Sequence, residues 1–172
     1  VVVHTSAFLD PPSISKNSIL VLTIASIGGL AAPLFVTLSG WSIQNSLMKR
    51  YNKNNNDFSL YYWLFWRFSF LFLCQLVVNL IANHIFNWNS PGVLSLLAIC
   101  TLISIPLSKI NLKMKLAILF ILFISPLSNI YLFEMSGDWN SIIYVNSPTD
   151  FLLKILFTGT YPLFPWLSFF VL

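Results

Sequence analysis

Between Lys16 and Lys49 the chain carries no charged residue, and the stretch SILVLTIASIGGLAAPLFVTLSGWSI lies wholly inside that interval. A bilayer crossing takes about 20 apolar residues, so this run, span A over 19–43, is long enough to make one. Three more runs follow: span B over 59–82, interrupted only by Arg67, span C over 92–108, and span D over 116–133. Of the 172 residues just 8% are charged and mean hydropathy is +0.80, whereas a soluble domain carries roughly 25% charged residues. A water-soluble fold is excluded. The expected architecture is all-α, a polytopic transmembrane helix bundle with four complete spans plus partial helices at both ends, forming one domain over 1–172. The chain opens on Val1-Val2-Val3-His4 and stops at Leu172 inside the apolar run YPLFPWLSFFVL; both ends are read as cut helices of a larger bundle. Before that last run, FLLKILFTG reads as an interfacial turn of helix.

Alternate loops must lie on the same side of a membrane. Loops 44–58 and 109–115 hold Lys49, Arg50, Lys53, Lys109, Lys113 and Lys115, which makes them cytoplasmic by the positive-inside rule. Loops 83–91 and 134–150 fall on the extracytoplasmic side, which receives His4, His84, Glu134, Asp138 and Asp150. The rule accounts for the net charge of +4, so no nucleic-acid partner is expected. Cys74 and Cys100 sit inside apolar runs and read as small buried hydrophobes without metal-ligand or CxxC spacing. Neither a signal peptide nor an internal repeat is evident. The localisation expected is the cell membrane, multi-pass.

Most polar residues within the spans are Ser and Thr, which in membrane helices bond a backbone carbonyl. Trp63, Trp66, Trp88, Trp139 and Trp166 cluster near span ends, as an aromatic belt requires. Arg67 stands apart. It lies eight residues in from Ser59, roughly 12 Å deep at 1.5 Å per residue, and intramembrane charges are functional candidates by default. No acid shares its depth, so its partner must be a backbone carbonyl, a bound anion or a carboxylate from elsewhere; phosphate suits a guanidinium, which grips it bidentately. His4 closes an apolar helix, and histidine is the usual general acid or base near neutral pH. Asp138 sits in SGDWN, whose Ser-Gly-Asp is turn chemistry, on the same side as His4, so the two form a candidate catalytic pair. No metal constellation, Ser-His-Asp spacing or phosphate-binding glycine loop is present.

The order VVVH, APLFVTLSG, WRFSFLFLCQLVVNLI, SPGVLSLLAICTLI and YPLFPWLSFFVL resembles the catalytic domain of the heparan-alpha-glucosaminide N-acetyltransferase-like family, within the wider multi-span membrane acyltransferases. The resemblance implies a bundle of ten or so helices that uses cytoplasmic acetyl-CoA to acylate a sugar on the far side. By position it carries His4 onto the histidine closing the first helix, Pro33 to Gly40 onto the second-helix signature, and Arg67 and Asn79 onto the ends of the third-helix motif, where they are expected to bind the donor. Pro162 to Trp166 match the start of a later helix. The chain departs from the pattern at Gly28-Gly29, where members often have an Asp, and at Ser95-Leu96, where they often have Gln-Arg.

The expectation is therefore an integral membrane acyltransferase moving an acetyl or acyl group from cytoplasmic acyl-CoA to an amine or hydroxyl of an extracytoplasmic saccharide. Acetyl-CoA serves as donor, no metal is required, and the bilayer is the other partner; a homo-oligomer is compatible with this reading. A membrane transporter and a non-catalytic structural subunit are the alternatives. The first predicts inverted repeats or several intramembrane ionisable groups, and the second predicts that His4 and Arg67 tolerate substitution.

Overall fold

The computed structural model describes residues 19–53, 57–82, 86–133 and 142–171, and every regular element among them is helical. The order is α1 (Ile19–Lys53), α2 (Asp57–Ile81), α3 (Val93–Lys109), α4 (Leu112–Phe133), a short α5 (Pro148–Leu153) running into a π-helical turn (Lys154–Thr158), and α6 (Leu163–Val171). His4, His84, Asp138 and Trp139 lie outside the described residues. The chain divides into two compact units, 1–35 and 36–172; both cavities lie in the second.

Spans B, C and D coincide with α2, α3 and α4 to within a few residues. Two loop assignments are corrected. Most of the segment 44–58 is helix, because α1 runs on to Lys53 and α2 starts at Asp57. Its asparagines suggest a loop, but Gln44, Leu47, Met48, Lys49 and Arg50 are good helix formers, and Ile43 and Leu47 are buried one turn apart. Likewise 109–115 contracts to a turn at Ile110 and Asn111. The Asn111 side chain accepts the Met114 N–H at 2.9 Å, an N-cap that starts α4 early, so Lys113 and Lys115 stand on its first turns.

Helices α2 and α3 pack antiparallel. Leu60 and Leu64 of α2, and Leu96, Leu97, Cys100 and Ile105 of α3, belong to one buried cluster. Among the described residues one helix, Phe58–Ile81, is long and apolar enough to cross a membrane, with hydropathy 1.8, while Val93–Lys109 is apolar but shorter. The outward face of α2 exposes Phe65, Trp66, Phe70, Leu73 and Val77; so continuous an apolar face calls for an apolar neighbour. Within the helices, Thr101, Ser104, Ser108 and Ser125 donate to backbone carbonyls three or four residues earlier, the role expected of them.

Helix α6 reaches α1 through a gap that only glycine permits. A Cβ on Gly40 would overlap the carbonyl oxygen of Phe170. Before that contact the chain bends at Phe164, whose extended backbone (φ −96°, ψ 111°) is the conformation favoured for a residue preceding proline.

Candidate functional site

A cavity of about 690 Å³ opens where the C-terminal end of α2 meets the N-terminal end of α3. Its floor is a buried pair of amides one helical turn apart. Gln75 Nε2 donates to Asn79 Oδ1 at 2.8 Å, and Asn79 Nδ2 donates to the carbonyls of Trp88 and Ser90 at 3.0 and 2.8 Å. Gln75 Oε1 in turn accepts the Leu94 N–H at 3.2 Å, meeting one of the orphan donors at the start of α3. Gly92 makes room for this: a Cβ there would stand 2.6 Å from Gln75 Nε2. The Gly92 N–H is held by Ser95 Oγ at 2.9 Å, a capping arrangement in which the residue three positions on reaches back.

The opposite wall comes from a distant part of the sequence. Ser90 Oγ donates to the Ile143 carbonyl at 2.8 Å, and Thr160 Oγ1 donates to the Pro91 carbonyl at 2.9 Å. Asn89 Nδ2 reaches the Val145 carbonyl at 3.4 Å, while Asn89 Oδ1 is buried without a partner. Behind the wall stands Lys154, 5% exposed. Its ammonium donates to the Tyr144 carbonyl and to Asp150 Oδ2, the latter at 3.1 Å. Burial pushes the Asp150 carboxyl up, but the Asn146 N–H and the Lys154 ammonium, by hydrogen bond and by charge, outweigh it and hold the carboxyl below its ordinary value. Trp88, 62% exposed, stands at the rim. The lining includes amides, hydroxyls and aromatic rings but no charged side chain.

At the other end of the α2–α3 pair lies a second cavity of about 340 Å³, bordered by Gln44, Tyr51, Tyr61, Ser108 and Lys109. Also at this end, the Arg50 guanidinium stands 4.5 Å from the centre of the Trp63 ring, and that of Arg67 stands 5.9 Å from the same centre. Among the described residues the Arg67 guanidinium faces an indole, and Arg67 Nε is buried without a hydrogen bond.

The two donor candidates do not meet. Asn79 is twelve residues beyond Arg67 on one helix, about 18 Å along the axis, and its amide hydrogens are both taken up by the protein. Its neighbours Gln75, Trp88, Asn89 and Ser90 were not anticipated. The four-residue spacing of Gln75 and Asn79 in an otherwise apolar helix is a readable signal for the first, because such residues share a face. For the loop residues the sequence offers none. Arg50 and Trp63 likewise enter only through the fold. No group of three or more His, Cys, Asp or Glu able to hold a metal ion occurs among the described residues.

The helical chain thus carries a neutral, amide-floored cavity at one end of the α2–α3 pair and basic side chains at the other. The model of the heparan-alpha-glucosaminide N-acetyltransferase catalytic domain matches residues 1–172. The chain belongs to that family. No curated protein and no solved structure matches it.

Proposed function

We propose that this protein is an integral membrane acetyltransferase acting on a glycan, with acetyl-CoA as donor. Family membership over the whole chain supports the transfer chemistry, and the contrast between the two ends of the α2–α3 pair is the observation that carries the division of labour. In this reading α1 to α4 cross the bilayer, the apolar face of α2 meets lipid, and the end bearing Arg50, Lys109 and Lys115 is cytoplasmic. The acetyl-CoA phosphates enter at that end, where Arg67 helps to hold them.

The acceptor sugar occupies the neutral cavity on the far side. An exposed indole and amides suit it, because a sugar ring presents an apolar face and a rim of hydroxyl donors and acceptors. Asn89 Oδ1, lacking a partner, accepts one such hydroxyl. The acceptor's amine or hydroxyl attacks the thioester carbonyl; a C–N or C–O bond forms, the C–S bond breaks, and coenzyme A leaves as a thiolate that takes up the proton lost by the acceptor. The residues proposed to relay that proton are His4 and Asp138, with transient carriage of the acyl group by His4 as the other route.

Incorporation of labelled acetyl from acetyl-CoA into membranes tests the reading. His4→Ala should abolish it and Arg67→Met should weaken donor binding, each with the protein still folded. Equal incorporation by wild type and His4→Ala removes histidine from the mechanism, and unchanged donor affinity in Arg67→Met removes arginine.

A further inference from the structure

Arg50 belongs to α1 and Arg67 to α2, yet both face one indole. Their guanidinium carbons, 4.5 and 5.9 Å from the centre of the Trp63 ring, are no more than about 10 Å apart, close enough to repel. Cation–π attraction holds each in place, but an indole supplies no counter-charge. Among the described residues the one ion pair is Lys154 with Asp150, at the other end of the helix pair. Among the described side chains these two cations share a ring with no acid paired to either, and one of them keeps a buried N–H, Arg67 Nε, unspent. A guanidinium offers five donors in a planar fork, and the two forks approach from different helices. A carboxylate's two oxygens lie in one plane and are both engaged by a single bidentate fork. A phosphate carries its oxygens around a tetrahedron and can take two.

We propose that Arg50, Trp63 and Arg67 form a clamp for a phosphate group, with Trp63 setting the spacing of the two forks. The phosphate has two available sources. One is the nucleotide portion of a coenzyme A thioester, in which case the clamp deepens the donor reading above and rests on it. The other is the headgroup of an anionic lipid, seated beside the exposed aromatic pair Tyr62 and Trp66, whose rings meet edge to face at 6.1 Å.

The experiment uses the full protein in nanodiscs. One arm measures coenzyme A binding in discs of phosphatidylcholine alone. The other measures retention of phosphatidic acid from mixed vesicles by native mass spectrometry. Arg50→Met and Arg67→Met should each weaken one of these by roughly tenfold or more, the size expected for a lost charge-assisted hydrogen bond. Arg67→Lys, which keeps charge without the fork, should fall between, and Trp63→Leu should weaken binding more than Trp63→Phe. Loss of coenzyme A binding identifies the nucleotide source; loss of phosphatidic acid retention identifies the lipid. Should Arg67→Met fail to fold, Arg50→Met carries the test, since Arg50 is exposed. If neither arginine changes either binding by more than twofold, the clamp is overturned, even where acetyl transfer persists. A wild-type protein that transfers no acetyl yet retains phosphatidic acid through Arg50 overturns the enzymatic reading and leaves the clamp standing.

Discussion

The two ends of the α2–α3 pair use polar side chains in opposite ways. At the loop end, Gln75 donates to Asn79 and accepts the Leu94 N–H, while Asn79, Ser90 and Ser95 donate to backbone carbonyls, and what remains is a shaped, uncharged hollow. At the basic end, Arg50 and Arg67 spend little on the protein beyond one indole. The first is a structure that happens to leave space; the second is binding capacity that the fold has not consumed. Substitutions should therefore separate stability from affinity, with the loop end dominated by folding and the basic end by ligand.

The largest effect is expected at Asn79. In Asn79→Asp the one nitrogen that donates to the carbonyls of Trp88 and Ser90 becomes an oxygen that can only accept. Unsatisfied buried groups cost about 1–3 kcal/mol each, so thermal melting in detergent should show a loss of about 3 kcal/mol or more. A variant that melts like wild type would dissolve the contrast between the ends. Lys154→Met comes next, at about 1–3 kcal/mol, because it leaves the Tyr144 carbonyl and Asp150 without their shared donor. Gly92→Ala should cost about 1–2 kcal/mol by pushing Gln75 off the Leu94 N–H. Trp88→Ala sharpens the comparison from the other side. Its exposed ring should contribute within about 0.5 kcal/mol to melting, while acceptor affinity falls in a saturation measurement.

Acid adds a further handle on the cavity wall. The Asp150 carboxyl is held below its ordinary value, so its contribution to stability is fully present above the unfolded value of about 3.9 and is lost as pH falls through the lower native one. Limited proteolysis should cut near 142–152 only below about pH 4, and Asp150→Asn should remove that pH dependence. Cleavage of wild type at neutral pH would place the wall's stability elsewhere.

Much of the helical framework was legible because charge-free runs in this chain leave little alternative to helices. The residues 44–53 leading into the Asn-rich stretch mislead, since composition weighs the asparagines while the fold weighs Ile43 and Leu47, one turn apart and both buried. Of the site, Arg67 and Asn79 stood out as polar residues in an apolar run. Their partners did not. Ser90 meets Ile143 across 53 positions and Thr160 meets Pro91 across 69, pairings that no local pattern encodes. Trp63 is the instructive case: it stands four residues before Arg67 on the same helical face, a spacing in which an indole meets a guanidinium with no oxygen acceptor.

The Gly40 contact bears on how the protein is made. Its partner Phe170 is synthesised 130 residues later, roughly 7–26 seconds at the usual pace of translation. For that interval the notch on α1 stays open beside whatever the nascent chain meets. Assembly of this unit must therefore finish from the rear, when α6 arrives and its backbone fills a space that any side chain at position 40 would have closed.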